Sequence, residues 1–227
     1  EQFKFAKKYF SNLNTAHSIL WNDGPRLQKL QKELNQKELA NVEDGKGKNV
    51  WYCIGFAIAR NSAEAVVFHD CDIKTYDESI LIKLLYPLLN ESMGYSFSKG
   101  YYSRYADNKL NGRVTRLLVT PLVKSLMKLF GNNDYLDFID AFRYPLAGEY
   151  ALKKNLLKEI RIPSDWGLEI GILSELQRNN SNKLCCQVDL ADRYDHKHQD
   201  LSIEDETKGL SRMTIDITKA FLRKMAT

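Results

Sequence analysis

Ala65-Val66-Val67-Phe68 is a short apolar run that leads, one residue later, into Asp70-Cys71-Asp72. An apolar run of this length bounded by polar residues reads as a strand buried on both faces, and such strands sit in sheets covered by helices. Ligands of open α/β sheets gather beyond the carboxyl ends of the strands. Two carboxylates in Asp-x-Asp spacing at that rim therefore place hard oxygen donors where a divalent cation and a diphosphate can meet. The same triplet also occurs as an Asx-type turn with two solvated carboxylates, and spacing alone leaves both readings open.

The flanking segments agree with an α/β domain. Phe3, Ala6 and Phe10 follow helical spacing, Ser18–Trp21 reads as a short strand, and Asn22-Asp23-Gly24-Pro25 is a turn before a helix over 27–39 with Leu27, Leu30 and Leu34 on one face. Gly45-Lys46-Gly47-Lys48 precedes a helix over 50–59. A glycine-rich turn feeding a helix start is a ready anion site, but this glycine spacing matches neither a Walker loop nor a dinucleotide fingerprint, and a simple flexible loop is the reading it favours. A helix over 77–89 buries Ile80, Leu84 and Leu88, and 95–102 alternates as a strand. Strand, helix, strand in this order predicts a Rossmann-like, mainly parallel sheet with helices on both faces.

Further along, Asn111-Gly112-Arg113-Val114-Thr115 opens a long amphipathic helix to about residue 130, kinked at Pro121. Residues 144–150 read as a turn into another helix, 165–171 introduce a helix to Arg178, 184–190 read as a strand, and a last helix spans 210–225. Its apolar stripe, Leu210, Ile217, Phe221 and Leu222, is compatible with core packing within the chain or with a homodimer. No internal repeat or interdomain linker interrupts residues 1–227, which read as one domain. The start at Glu1, inside a helical pattern and without methionine, suggests that at least one strand and a loop lie upstream.

Composition narrows the partners. A chain of 227 residues with 44% hydrophobic content can bury one substantial core. Its 33 basic and 29 acidic residues are interspersed, with no polybasic block to recommend nucleic acid or a membrane surface. The four cysteines lack Cys-x-x-Cys spacing, which fits a reducing, cytoplasmic compartment. No apolar run approaches the ~18 residues of a membrane span.

Three further groups carry chemistry. Arg113 and Thr115, with the amides near Gly112, suit a phosphate or carboxylate at a helix start, while Asn111 as a cap beside an exposed arginine is the plainer reading. Glu169, between Leu168 and Ile170, needs a partner if buried. Sugar hydroxyls or a nearby Lys or Arg would serve, and Trp166 could lie against a sugar face or simply pack. His196 and His198 follow a strand, where an imidazole could complete a metal shell with the two carboxylates or remain solvated.

Taken in order, Gly45-Lys46-Gly47, Phe68-His69-Asp70-Cys71-Asp72, Asn111-Gly112-Arg113-Val114-Thr115, Pro145-Leu146-Ala147-Gly148-Glu149-Tyr150, Trp166-Gly167-Leu168-Glu169-Ile170-Gly171 and Tyr194-Asp195-His196-Lys197-His198 resemble the glucosyl-3-phosphoglycerate synthase family of retaining GT-A glycosyltransferases, from about Trp21 to the last helix. The resemblance implies Mg²⁺- or Mn²⁺-dependent transfer of glucose from UDP-glucose or GDP-glucose to 3-phosphoglycerate. Asp72 would hold the metal, with Asp70 and His196 in its shell or, for Asp70, at the ribose. The register of the His-x-His segment leaves open which histidine is the ligand, with His198 placed on the acceptor side. Lys46 would contact the nucleotide part of the donor, Gly148 and Leu146 would line the donor sugar, and Glu169 would bind its hydroxyls. Gly112, Arg113 and Thr115 would cradle the phosphoglycerate, which makes about 100–227 the acceptor-side subregion. Asp72, Glu169 and Arg113 are the implied catalytic set. A sibling transferase using GDP-mannose or glycerate, and a non-catalytic sugar-nucleotide-binding domain, are the alternatives.

Overall fold

The structure is a computed structural model that describes residues 1–39, 44–106, 109–131, 133–179, 182–195 and 209–226. Helices α1 (Gln2–Phe10), α2 (Pro25–Gln36) and α3 (Lys46–Arg60) precede strand β1 (Ala65–Phe68). Helix α4 (Ser79–Leu89) then leads to strand β2 (Phe97–Tyr102) and a small hairpin of β3 (Tyr105–Ala106) and β4 (Lys109–Leu110). Helices α5 (Thr120–Phe130) and α6 (Asp134–Asp140) follow, then β5 (Tyr150–Lys153), α7 (Lys154–Glu159), α8 (Leu168–Arg178), β6 (Cys185–Ala191) and α9 (Gly209–Met225).

The main sheet has the order β1-β5-β2-β6. Val66 stands opposite Leu152 in an antiparallel ladder, Leu152 opposite Phe97 in a second, and Gly100 opposite Val188 in a parallel one. Strands β1, β2 and β6 therefore share a direction and β5 runs back between them. The expectation of a mainly parallel sheet is corrected accordingly: two of the three ladders are antiparallel.

Strand β5 is also where the sequence misleads, since 144–150 reads as a turn into a helix. Tyr150 and Leu152 point into the larger core, with Phe97, Leu168, Ile172 and Phe221. Ala151 points to the other face, against Ile80, Leu84 and Leu88 of α4. A four-residue strand buried on both faces shows no alternation for a period count to detect.

Three other segments depart from expectation. Residues 18–21 form no strand, and Trp21 instead stacks on Phe3 of α1 with ring centroids 4.8 Å apart. The single kinked helix expected up to residue 130 begins as a π-helical turn, Thr115–Val119, before α5. Pro121 follows directly on this π-helical turn, near the start of α5. Helix α6, unexpected from the sequence, is capped by the Asn133 side chain, which accepts from the amides of Tyr135 and Leu136. In α9, Ile217 and Phe221 are fully buried in the larger core, Leu210 is half-buried and Leu222 is 53% exposed, so most of that stripe packs within the chain. Among the described residues no helix is long and apolar enough to cross a membrane.

Candidate active site

Strands β1, β2 and β6 end, and β5 begins, on one rim of the sheet. Four loops therefore meet there: 69–75 after β1, 103–104 after β2, 192–195 after β6 and 144–149 before β5. Residues of the first, second and last of these loops line a cavity of about 1590 Å³, to which α1, residues 19–23 and α9 also contribute. This is large for a single small-molecule pocket, typically ~300–1000 Å³, and has room for two ligands side by side.

At its centre the Lys46 ammonium, on the first residue of α3, lies 2.7 Å from Asp70 Oδ1 and 2.8 Å from Glu169 Oε1. Glu169 comes from the first turn of α8 and is 3% exposed, so the lysine is the partner its burial demands. Burial opposes the ammonium charge, but Glu169 and Asp70 outweigh it and hold Lys46 above the ordinary lysine range. The glycines beside Lys46 serve packing. A Cβ on Gly47 would run into the Pro163 carbonyl, and the Gly47 and Lys48 amides donate to the Asp165 and Ser164 carbonyls at 3.2 and 2.9 Å. The Gly47 and Lys48 amides of the helix start are thus occupied by protein carbonyls, and Asp44, Gly45, Lys46, Lys48 and Asn49 line the cavity.

Asp70 and Asp72 both line the cavity. Gly148 abuts Asp70 so closely that a Cβ there would be driven into the carboxylate, while Leu146 lines the wall just before it. The two carboxylates form a hard oxygen pair suited to Mg²⁺ or Mn²⁺. Among the described residues no cluster of three or more metal-ligating side chains occurs; His196 and His198 lie outside the described residues.

On another wall, Gly112 holds φ +79°, a conformation costly for any other residue, with the Tyr144 hydroxyl 3.2 Å from where a Cβ would stand. Arg113 and Thr115 line the cavity beyond it. Thr115 is 5% exposed and its Oγ1 has no hydrogen-bond partner. Buried hydroxyls are nearly always satisfied, so this one is a candidate to donate to a ligand. Asn111 makes no side-chain cap here, and its carbonyl accepts from Arg116 Nε at 3.3 Å. Trp166 borders the same cavity.

Several residues were not anticipated from the sequence. Glu149 is fully buried, accepts from the Tyr102 hydroxyl at 2.7 Å and faces the Asp70 amide at 3.4 Å; burial and the neighbouring Asp70 push its carboxyl up. Lys99, 2% exposed, donates to the Ala147 carbonyl at 2.6 Å and sits 5.2 Å from the Tyr150 ring centre, with burial pushing its pKa down to about 8. Arg104 donates to the Tyr144 hydroxyl at 3.2 Å while its buried Nε lacks a partner. A polar residue inside an apolar strand, as in Phe97-Ser98-Lys99, was the one available signal.

The sheet order and the rim site define a GT-A fold of the kind that binds nucleotide-diphospho-sugars. No protein-family model matches the chain. It is related over its whole length to the glucosyl-3-phosphoglycerate synthases. The enzyme of that name from Persephonella marina is 42% identical over 226 residues, covering 100% of this chain and 56% of the relative, and that from Methanococcoides burtonii is 42% identical over 227 residues, covering 98% and 55%. The chain thus spans about half the length of the curated relatives it matches. The Mycobacterium tuberculosis glucosyl-3-phosphoglycerate synthase crystallised with Mn²⁺, UDP-glucose and phosphoglyceric acid superposes with a TM-score of 0.65 at 26% identity, over 82% of this chain and 57% of that one.

Proposed function

We propose that this chain carries the catalytic site of a metal-dependent retaining glycosyltransferase that moves glucose from UDP-glucose to 3-phosphoglycerate. The observation that supports this most is that one cavity brings together the Asp70–Lys46–Glu169 cluster, Asp72 and the Gly112–Arg113–Thr115 corner. These suit, respectively, a diphosphate with its sugar, a divalent cation and an anionic acceptor. Relatives at 42% identity bear the corresponding name, and a similar structure holds UDP-glucose and phosphoglyceric acid. The same comparison favours UDP-glucose over GDP-glucose as donor.

Asp72 and Asp70 are the described side chains that would hold Mg²⁺ or Mn²⁺, with His196 or His198 as a third ligand. Bound there, the cation would supply Lewis-acid neutralisation of the diphosphate as it leaves. Lys46 directs a second positive charge at the same phosphates, and Glu169 fixes the glucose by accepting from its hydroxyls. The loop around Leu146 and Gly148 sets how near the sugar comes to Asp70. Arg113 and Thr115 hold the acceptor phosphate, which presents the 2-hydroxyl to the anomeric carbon on the face the diphosphate leaves. The departing phosphate oxygen takes that hydroxyl's proton, and configuration is retained. Glu149 is unsuited to act as a covalent nucleophile, being fully buried behind Asp70 with its carboxylate facing Tyr102 and the Asp70 amide. Residues 100–227 form the acceptor-side subregion of one domain in this reading, and the free cysteines fit a cytoplasmic setting.

A donor-by-acceptor matrix with added Mn²⁺ tests the proposal. Turnover is expected with UDP-glucose and 3-phosphoglycerate and abolished in Asp72→Ala. Turnover with GDP-mannose or glycerate instead would assign a sibling reaction, and donor binding without turnover on any acceptor would make the chain a binding domain.

A further inference from the structure

Glu149 is a buried carboxylate to which the reaction above gives no part. Burying a charge is costly unless something requires it, and here its neighbours come from the loop after β1, the end of β2 and the loop after β6. The Asp70 amide approaches Oε1 at 3.4 Å and the Tyr102 hydroxyl donates to Oε2 at 2.7 Å. Tyr194 stacks on Tyr102 with ring centroids 3.7 Å apart, so the second segment reaches Glu149 through the Tyr102 ring.

The loops gathered this way are also tied directly to one another. The Lys74 amide donates to the Asp195 carbonyl at 2.8 Å, the Asp195 amide to Thr75 Oγ1 at 3.0 Å, and the Lys74 ammonium lies 3.3 Å from the Asp195 carboxylate. The Tyr194 amide donates to the Ser103 carbonyl at 3.2 Å. The turn carrying Asp70 and Asp72 and the segment leading to His196 are thus fastened to each other at the rim, and from beneath to one carboxylate.

We propose that Glu149 is a positioning residue that fixes the Asp70–Asp72 turn against the Tyr194–Asp195 segment, so that the Asp70 and Asp72 carboxylates are preorganised for a cation before donor binds. The proposal rests on the reading that this site holds a divalent cation. Outer groups that orient metal ligands typically carry ~10–100-fold in metal affinity. Glu149→Gln keeps the size of the side chain but removes its charge and offers the two donors, the Asp70 amide and the Tyr102 hydroxyl, one acceptor oxygen in place of two, which weakens the tethers without emptying the core.

The test is Mn²⁺ binding to the full chain without donor, read by electron paramagnetic resonance of the free ion. Asp72→Ala is the control for the site, and transfer is assayed across Mn²⁺ concentrations. Glu149→Gln is expected to bind Mn²⁺ at least ~10-fold more weakly, with kcat largely restored at saturating Mn²⁺ and KM for the acceptor unchanged. Tyr102→Phe removes a single tether and covers the case in which Glu149→Gln fails to fold; it should show a smaller shift of the same kind. Unchanged Mn²⁺ affinity in folded variants, or a kcat deficit that saturating Mn²⁺ does not repair, overturns the positioning role. A wild-type protein with no Mn²⁺ site removed by Asp72→Ala would instead overturn the underlying metal reading.

Discussion

Lys46 and Asp70 form an ion pair of 2.7 Å in the middle of the cavity, and Glu169 closes on the same ammonium at 2.8 Å. One lysine thereby balances two carboxylates from different loops, and in the proposed function it stands between the cation side and the sugar side of the donor. Lys46→Met should raise the donor KM at least ~10-fold, the loss of one charge-assisted contact. It should also destabilise the fold by about 3 kcal/mol, because Glu169 is left buried and unpaired. The double variant Lys46→Met/Glu169→Gln should recover much of that stability in chemical denaturation without recovering donor affinity. Additive losses in the double variant would count against the pairing.

Arg113 and Thr115 predict a different kinetic pattern. Arg113→Ala should raise the KM for 3-phosphoglycerate by ~10–100-fold, as expected for a charged hydrogen bond worth about 1.5–3 kcal/mol. The KM for the donor and the melting temperature should barely move. Steady-state kinetics with each substrate varied in turn checks this, and unaltered acceptor kinetics would remove the phosphate from that corner.

Gly148 makes a steric prediction. An alanine there drives its Cβ into the Asp70 carboxylate, so kcat/KM should fall on the order of 100-fold, as misplacements of about 1 Å can do. Gly55→Ala, in a part of α3 where a Cβ meets nothing within 4 Å, is the control. It should leave activity intact and stabilise the protein by up to about 1 kcal/mol. Equal activity of the two variants would show that the 148–70 approach is unimportant.

Lys99 gives the protein a pH signature. Its pKa is pushed down to about 8 in the fold and returns to 10.5 on unfolding. Between those values the unfolded chain binds more protons than the folded one, so this group's contribution to stability rises with pH across that window, by up to about 3 kcal/mol. Denaturation midpoints of wild type and Lys99→Met measured at pH 7, 8.5 and 10 should show the wild type gaining on the variant as pH rises. A constant difference would mean that Lys99 stays charged in the core.

What the sequence discloses and what it hides divide along physical lines. Asp70, Asp72, Lys46, Glu169, Gly112, Arg113 and Thr115 sit where loops meet helix or strand ends; spacing left their readings open, and it is the family resemblance that implies their roles. Glu149 and Lys99 acquire theirs only from the antiparallel β2–β5 ladder, in which Lys99 stands opposite Tyr150. That pairing depends on reading Tyr150–Lys153 as a strand, and a short segment buried on both faces offers no periodicity from which to read it. The same reversed strand explains how the 144–149 loop reaches the rim at all. The glycines flanking Lys46, whose spacing matches no phosphate-loop pattern, leave room where Pro163, Ser164 and Asp165 pack against the helix start.

The central claim is that Asp70 and Asp72 hold a cation against the diphosphate of a sugar nucleotide. A crystal of this chain soaked with Mn²⁺ and UDP-glucose measures it directly. The account predicts anomalous manganese density at Asp72 with the diphosphate beside it and Lys46 turned toward the phosphates. Nucleotide bound elsewhere, or manganese absent from those carboxylates while donor is present, would contradict it.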